Sequence, residues 1–319
     1  MSKRILPLAI IILGLLAWGC ESPDDEDGVG TEVTTEDINQ GGQFFSFETG
    51  GFVEDYDVQF DYLTEPNPAF VVRLNTVASV WAYVETSGDF EGAVKPQGGF
   101  QSDSTDNLVI GDGWYTYNPA THTIDTKGYI YFIRGTDYTW IKLRIDGASQ
   151  GTYTITYALE QSDGSFGTAL TVDNLSTTDG PVNFDFSKGT TVTAANWHMG
   201  LMTIPAFDPG TEATYYMPTV LINYGNSTQA GVITDQALGE VTSVPADISW
   251  LVETADTRPL GYIGAYEILV YHPEPPYNHK VLVEHPEYVY IVATDNANYY
   301  KLRFTDYDSG IILFEYAAL

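Results

Sequence analysis

The chain of 319 residues carries 43 acidic side chains against 13 basic ones, a formal charge of −30, and holds a single cysteine. That balance excludes nucleic acid as a partner, because phosphate binding needs clustered Lys and Arg. One cysteine excludes a disulfide framework, so the fold must rest on its core.

In chain order, Lys3 and Arg4 precede an apolar run from Ile5 to Trp18 that stops at Gly19-Cys20. This is the pattern of a secretory signal over residues 1–19, and it is too short for a bilayer-spanning helix, which needs about 20 apolar residues. "LAWGC" resembles a bacterial lipobox, with a bulky Trp18 in it. The resemblance implies that Cys20 becomes the lipidated first residue, tethering the chain to a membrane only through that lipid. "ESPDDEDGVGTEVTTEDINQGGQ" follows, rich in acid, Gly and Thr, and residues 20–42 read as an acidic flexible tether. Its acidic cluster resembles the surface-export signal of Bacteroidetes lipoproteins, which implies an outer-membrane, cell-surface location.

Beyond the tether, alternation of apolar and polar residues dominates, as in "YIYFIR" (129–134) and "TYTITYALE" (152–160), with Gly, Asp and Asn between the runs. The pattern predicts an all-β fold. "YIYFIRGTDYTWIKLRIDGASQGTYTITY" (129–157) lies over "YVYIVATDNANYYKLRFTDYDSGIILFEY" (288–316) at a constant shift of 159 without a gap. Identities include Lys142/Lys301, Leu143/Leu302, Arg144/Arg303 and Tyr157/Tyr316. "FSFETG" (45–50) likewise echoes "FDFSKG" (184–189). The repeat predicts two tandem related antiparallel β domains, 43–172 and 181–319, each closing in a three-stranded meander. "GASQG" (147–151) fits the G-x-S-x-G spacing, but a strand pattern follows where that motif needs a helix. No paired nucleophile and base is offered elsewhere, and no enzyme is expected.

The order of "FDFSKGTTVTAANWHMGL" (184–201), "VLINYGNSTQAGV" (220–232) and the closing "Y-K-L" meander resembles the HmuY family of haem-binding lipoproteins over residues 182–319. The first half resembles a diverged copy. The resemblance implies a surface domain that captures haem, or takes it from a haem protein, and passes it to an outer-membrane transporter. It also implies two axial side chains on the iron, and His272, shortly before the meander, is the nearest match to the second. The first has no histidine counterpart, since residues 199–271 contain none; that window holds Met202, Tyr215, Tyr216 and Met217. The haem-binding set expected from the resemblance is therefore His272, Met202 and Met217, with His272 as the metal ligand.

Read on their own, the histidines leave other roles open. His272 sits in "YHPEPPYNH", where three prolines stiffen the backbone, and is a ligand or an exposed loop residue. His279 pairs across the repeat with His122 and is expected to be structural. His198 follows Trp197 on an alternating strand, so one of the two should face outward. His272, His279 and His285 are spaced too widely for a zinc site. A second reading needs no metal: a surface module binding glycan or protein through aromatic platforms such as Trp81, Trp114 and Trp140.

Overall fold

The computed structural model describes residues 30–319 apart from 66–67, 87, 209–212 and 255–256. The leader, Cys20 and the acidic cluster lie outside the described residues. Apart from a 3-10 turn at Tyr224–Asn226, the regular structure among the described residues is all β, and no helix there is long and apolar enough to cross a membrane.

Three strands open the chain: β1 (Thr31–Thr34), β2 (Gln43–Ser46) and β3 (Gly51–Val53). Next come β4 (Val58–Leu63), β5 (Ala69–Leu74), β6 (Trp81–Glu85), β7 (Tyr115–Asn118) and β8 (Thr123–Thr126). The first meander is β9 (Ile130–Arg134), β10 (Trp140–Ser149) and β11 (Thr152–Leu159). A second opening set follows in β12 (Leu170–Ser176), β13 (Val182–Asp185) and β14 (Thr190–Val192). Then come the long hairpin β15 (Met199–Asp208) and β16 (Ala213–Ile222), and β17 (Gln229–Ile233), β18 (Trp250–Leu251), β19 (Leu269–His272) and β20 (Lys280–Val283). The second meander, β21 (Val289–Ala293), β22 (Tyr299–Asp308) and β23 (Ile311–Ala318), closes the chain.

The two meanders match in detail. Both carry a bulge at the same repeat position, Ile145/Gly147 and Phe304/Asp306, and both bury the duplicated lysines Lys142 and Lys301. The structure departs from the tandem division, however, because the two opening segments have changed places. β2 pairs with β15 of the second half, Phe45 opposite Met199. β13 pairs with β4 of the first half, Phe184 opposite Val58. One unit therefore runs from β4 to β14, its core holding Phe60, Trp114, Leu143, Tyr153, Phe184 and Phe186. The other combines β1–β3 with β15–β23 around Ile38, Phe45, Phe47, Leu201, Leu302 and Phe314.

This exchange also corrects the extent of the tether. Thr31–Thr34 is strand β1, zipped to β23 with Thr31 opposite Tyr316, and Ile38 is fully buried. β12, which straddles the expected end of the first domain at residue 172, takes the matching place on β11 with Leu170 opposite the duplicated Tyr157. Alternation favours a strand in both segments once a meander edge offers its unpaired N–H and C=O groups. Each opening closes in a left-handed glycine, Gly50 at φ 67° and Gly189 at φ 65°. A Cβ there would sit 2.7 Å from the Tyr316 hydroxyl oxygen in one unit and 2.6 Å from that of Tyr157 in the other, so only glycine fits.

The crossings pass through matched polar joints. The Asp57 N–H donates to Phe184 O (3.0 Å), and the Phe186 N–H donates to the Asp57 carboxylate (2.9 Å). In the other unit the His198 N–H donates to Phe45 O (2.8 Å), and the Phe47 N–H donates to His198 Nδ1 (3.1 Å). Asp57 and His198 thus do the same work, each accepting the N–H of an incoming phenylalanine. Phe44, Ala78, Trp197, Met202, Ile204 and Leu221 form an apolar cluster between the units.

Burial gives the stability of this fold a pH dependence. It pushes Asp57 up to about 7, against the pull of the Thr136 and Phe186 N–H donors, and Asp55 up to about 6. It pushes Glu253 up to about 8 against the Ile222 N–H. Each carboxyl holds its proton in the folded chain above the pH at which the unfolded chain has lost it. Their stabilisation is complete below about pH 4 and is lost as pH rises through these values. Burial lowers His198, whose effect has the opposite sign and is confined to pH below about 6.5. The thermal midpoint, followed by circular dichroism, is expected to fall from pH 6.5 to 8, and to fall less in Asp57→Asn. A midpoint rising over that window would contradict the assignment.

Candidate ligand-binding cleft

The long hairpin brings the two expected methionine ligands onto one face. Met202 lies opposite Thr219 and Met217 opposite Ile204, and directly paired or alternate residues share a face. Met202, however, is 1% exposed and packed in the cluster that contains Phe44 and Trp197, whereas Met217 is half-buried. His272 ends β19, opposite Lys280. Its Nε2 lies 2.9 Å from the Glu284 carboxylate, and its ring leans on Tyr277 with centroids 5.0 Å apart. Haem iron needs donors on the two faces of an open slot. Met202 has no open side and so does not reach such a slot, whereas His272 uses Nε2 on Glu284 and keeps Nδ1 as its second ring nitrogen. A single carboxylate beside His272 makes no metal centre.

His122 and His279 occupy matching turns, β7–β8 and β19–β20, both with left-handed φ (56° and 65°) and both with Nδ1 hydrogen-bonded to a tyrosine hydroxyl, Tyr117 and Tyr271. His285 stacks on Tyr288 with centroids 4.1 Å apart. Trp197 and His198 are both buried, at 1% and 0% exposure, so neither faces outward as alternation alone suggests. The crossing segment is covered on both sides.

Glu48, His198 and Asp295 gather at the joint of the second unit. His198 Nδ1 accepts the Phe47 N–H, so in the neutral ring Nε2 carries the proton and faces Asp295 at 3.6 Å. A metal ion needs a bare nitrogen lone pair there. The cluster is a protonated-nitrogen joint beside two carboxylates, equivalent by repeat position to Asp57 beside Thr136.

A cavity lined by residues of both units lies between them. On the β6–β9–β10 sheet, Trp81 and Trp140 each lie directly opposite Arg134, which puts the three side chains in one row on one face. Both tryptophans are half-buried. The ring of Phe100 packs on Trp140 with centroids 4.6 Å apart, and Lys95 Nζ sits 4.6 Å from the Trp140 ring. Trp114, the third expected platform, is instead 1% exposed in the core, its Nε1 donating to Phe70 O.

Arg134 is 6% exposed. Its guanidinium carbon lies 3.6 Å from the Tyr138 ring centre and 4.5 Å from that of Tyr216. Its Nη1 donates to Thr203 O and its Nη2 to Thr203 Oγ1, each at 3.1 Å. Burial pulls its pKa down from the usual arginine value.

Trp81, Phe100, Arg134, Trp140, Pro205 and Tyr216 line a cavity of about 390 Å³. Trp81, Phe100 and Pro205 also border a larger one of about 950 Å³, whose polar wall includes Gln101, Ser102, Ser104 and Asn107 and whose far side includes Tyr262. Together they form one cleft with aromatic walls and a polar rim, the form that small-ligand sites take. Arg134 went unnoticed in the sequence because it reads as the charged end of a strand. One signal was present: across the repeat it faces Ala293.

"GASQG" is the β10–β11 hairpin turn, with Ser149 opposite Thr152, so no nucleophile elbow exists there. No family model matches the chain, and no curated protein does. Among solved structures the chain is similar to an apo HmuY analogue from Tannerella forsythia, at 10% identity and a TM-score of 0.19, over 44% of this chain and 92% of that one.

Proposed function

We propose that the chain is a lipid-anchored protein of the outer cell surface that captures a glycan in the cleft between its units and performs no chemistry on it. The observation that carries this reading is the row Trp81–Arg134–Trp140, which lines the smaller cavity, with Trp81 also bordering the larger one and its amide- and hydroxyl-bearing wall. The apolar face of a sugar ring stacks on indole, and its hydroxyls need donors and acceptors such as Gln101, Ser104 and Asn107. On a glycan array probed with residues 20–319, Trp81→Ala and Trp140→Ala are each expected to lower signal at least about tenfold, the size of losing one well-stacked ring at roughly 1.4 kcal/mol per decade. His272→Ala is expected to leave it unchanged. Signal that survives both tryptophan changes would remove the cleft from the account.

A second reading is haem capture for an outer-membrane uptake system, the function implied by the sequence resemblance over residues 182–319. One observation favours it. Tyr216, in the window where that resemblance looks for the first axial ligand, lines the smaller cavity, and tyrosine is a known haem-iron ligand type. Haemin added to the purified chain would then give a shifted Soret band that is altered in Tyr216→Phe and unchanged in His272→Ala. A band that does not shift leaves the glycan reading alone.

A further inference from the structure

We infer that the ligand of this cleft presents a carboxylate to Arg134. The inference rests on the cleft being the binding site and adds the chemical class of what it binds.

The chain has 43 acidic residues and 13 basic ones, yet among the described residues no carboxylate pairs with this buried guanidinium. Its hydrogen bonds there go to Thr203, with Tyr138 also in reach, and the titratable groups nearest it are the neutral phenols of Tyr138 and Tyr216. Two of five N–H donors are used by Thr203, and two tyrosine rings lie against the guanidinium carbon. An arginine so placed keeps free donors at the edge of its plane, the side by which a planar carboxylate is bound in bidentate fashion. A buried charge without a counter-charge is costly, and an incoming anion removes that cost.

The repeat supplies an internal control on whether the scaffold itself needs this cation. At the equivalent place in the second meander stands Ala293, flanked by Gln229 and Tyr299 where the first unit has Trp81 and Trp140. The same sheet closes there with no cation and no tryptophan row. The arginine and both tryptophans differ together between the copies, and all three line one cavity in the first. A tie to Thr203 alone could be made by any neutral donor.

Two sources offer a carboxylate on a ring-faced molecule: a uronate-bearing glycan and a porphyrin with propionates. The test uses each acid beside its methyl ester, which keeps the rings and removes the charge. Residues 20–319 are titrated calorimetrically with oligogalacturonide and its methyl ester, and optically with haemin and its dimethyl ester. For one of the two pairs the acid is expected to bind at least tenfold more tightly than the ester. The preference should weaken with added salt, persist in part in Arg134→Lys, and vanish in Arg134→Gln. Wild-type salt dependence keeps the test valid if Arg134→Gln does not fold. Equal binding of acid and ester that is lost in Trp140→Ala would overturn the carboxylate and leave the cleft standing. A preference that survives in a folded Arg134→Gln would overturn it too, and no binding of any probe would overturn both.

Discussion

Truncating Phe184 to alanine is expected to loosen the first unit, although the repeat assigns Phe184 to the second half, and Phe45→Ala is expected to do the reverse. Phe184 is fully buried, with Phe186, Tyr157 and Phe60 ring centres 5.0 to 6.3 Å away. Phe45 is fully buried edge-on to Phe47, Phe52, Phe314 and Tyr316 at 5.2 to 5.3 Å. Removing a buried phenylalanine costs about 3–5 kcal/mol, the lost transfer energy plus the cavity left behind. Hydrogen exchange read by mass spectrometry locates the damage. In Phe184→Ala, β9–β11 should lose protection before β21–β23, and in Phe45→Ala the order should invert. Loss confined to the half of the chain that carries the substitution would contradict the exchanged pairing.

Trp197→Ala is expected to uncouple the two units. The indole is 1% exposed, packs on Phe44 at 5.0 Å, and donates its Nε1–H to the Asp55 carboxylate at 2.6 Å. The substitution opens a cavity in the apolar cluster between the units and takes a donor from Asp55, whose Oδ1 is already buried without a partner. Loss of a buried tryptophan costs about 3–5 kcal/mol, and the missing donor adds about 1–3. Urea unfolding should separate into two transitions where the parent shows one, and Trp197→Phe should restore coupling in part. A single transition in Trp197→Ala would mean that the units are joined elsewhere.

The strands were legible in the sequence because half-covered strands alternate, and the meanders were legible because both copies keep Tyr, Lys, Leu and Arg at the same intervals. The exchange was not. "FSFETG" and "FDFSKG" present the same apolar pair to a core, and likeness between two segments does not say which copy each one docks against. At the site, Trp81 and Trp140 were recognisable as platforms by residue type, but so was Trp114, which is buried in the core of its unit. Alternation marks two faces and cannot tell which of them another layer will bury. The same limit misplaced Met202, apolar and on the inner face of the β15–β16 hairpin, and hid Arg134, whose aliphatic stem lets a charged group end a buried strand. His272 drew attention through its prolines, yet the hairpin they shape pairs it with Glu284.

The cleft exists because each unit is completed by a segment from the other side of the crossing, and expression of two fragments tests that most directly. Residues 54–193 should fold alone, with a dispersed amide spectrum and cooperative unfolding. Residues 43–172, which lack β13 and β14, should not. A cooperatively folded 43–172 beside an unfolded 54–193 would contradict the account and return the chain to two self-contained tandem domains.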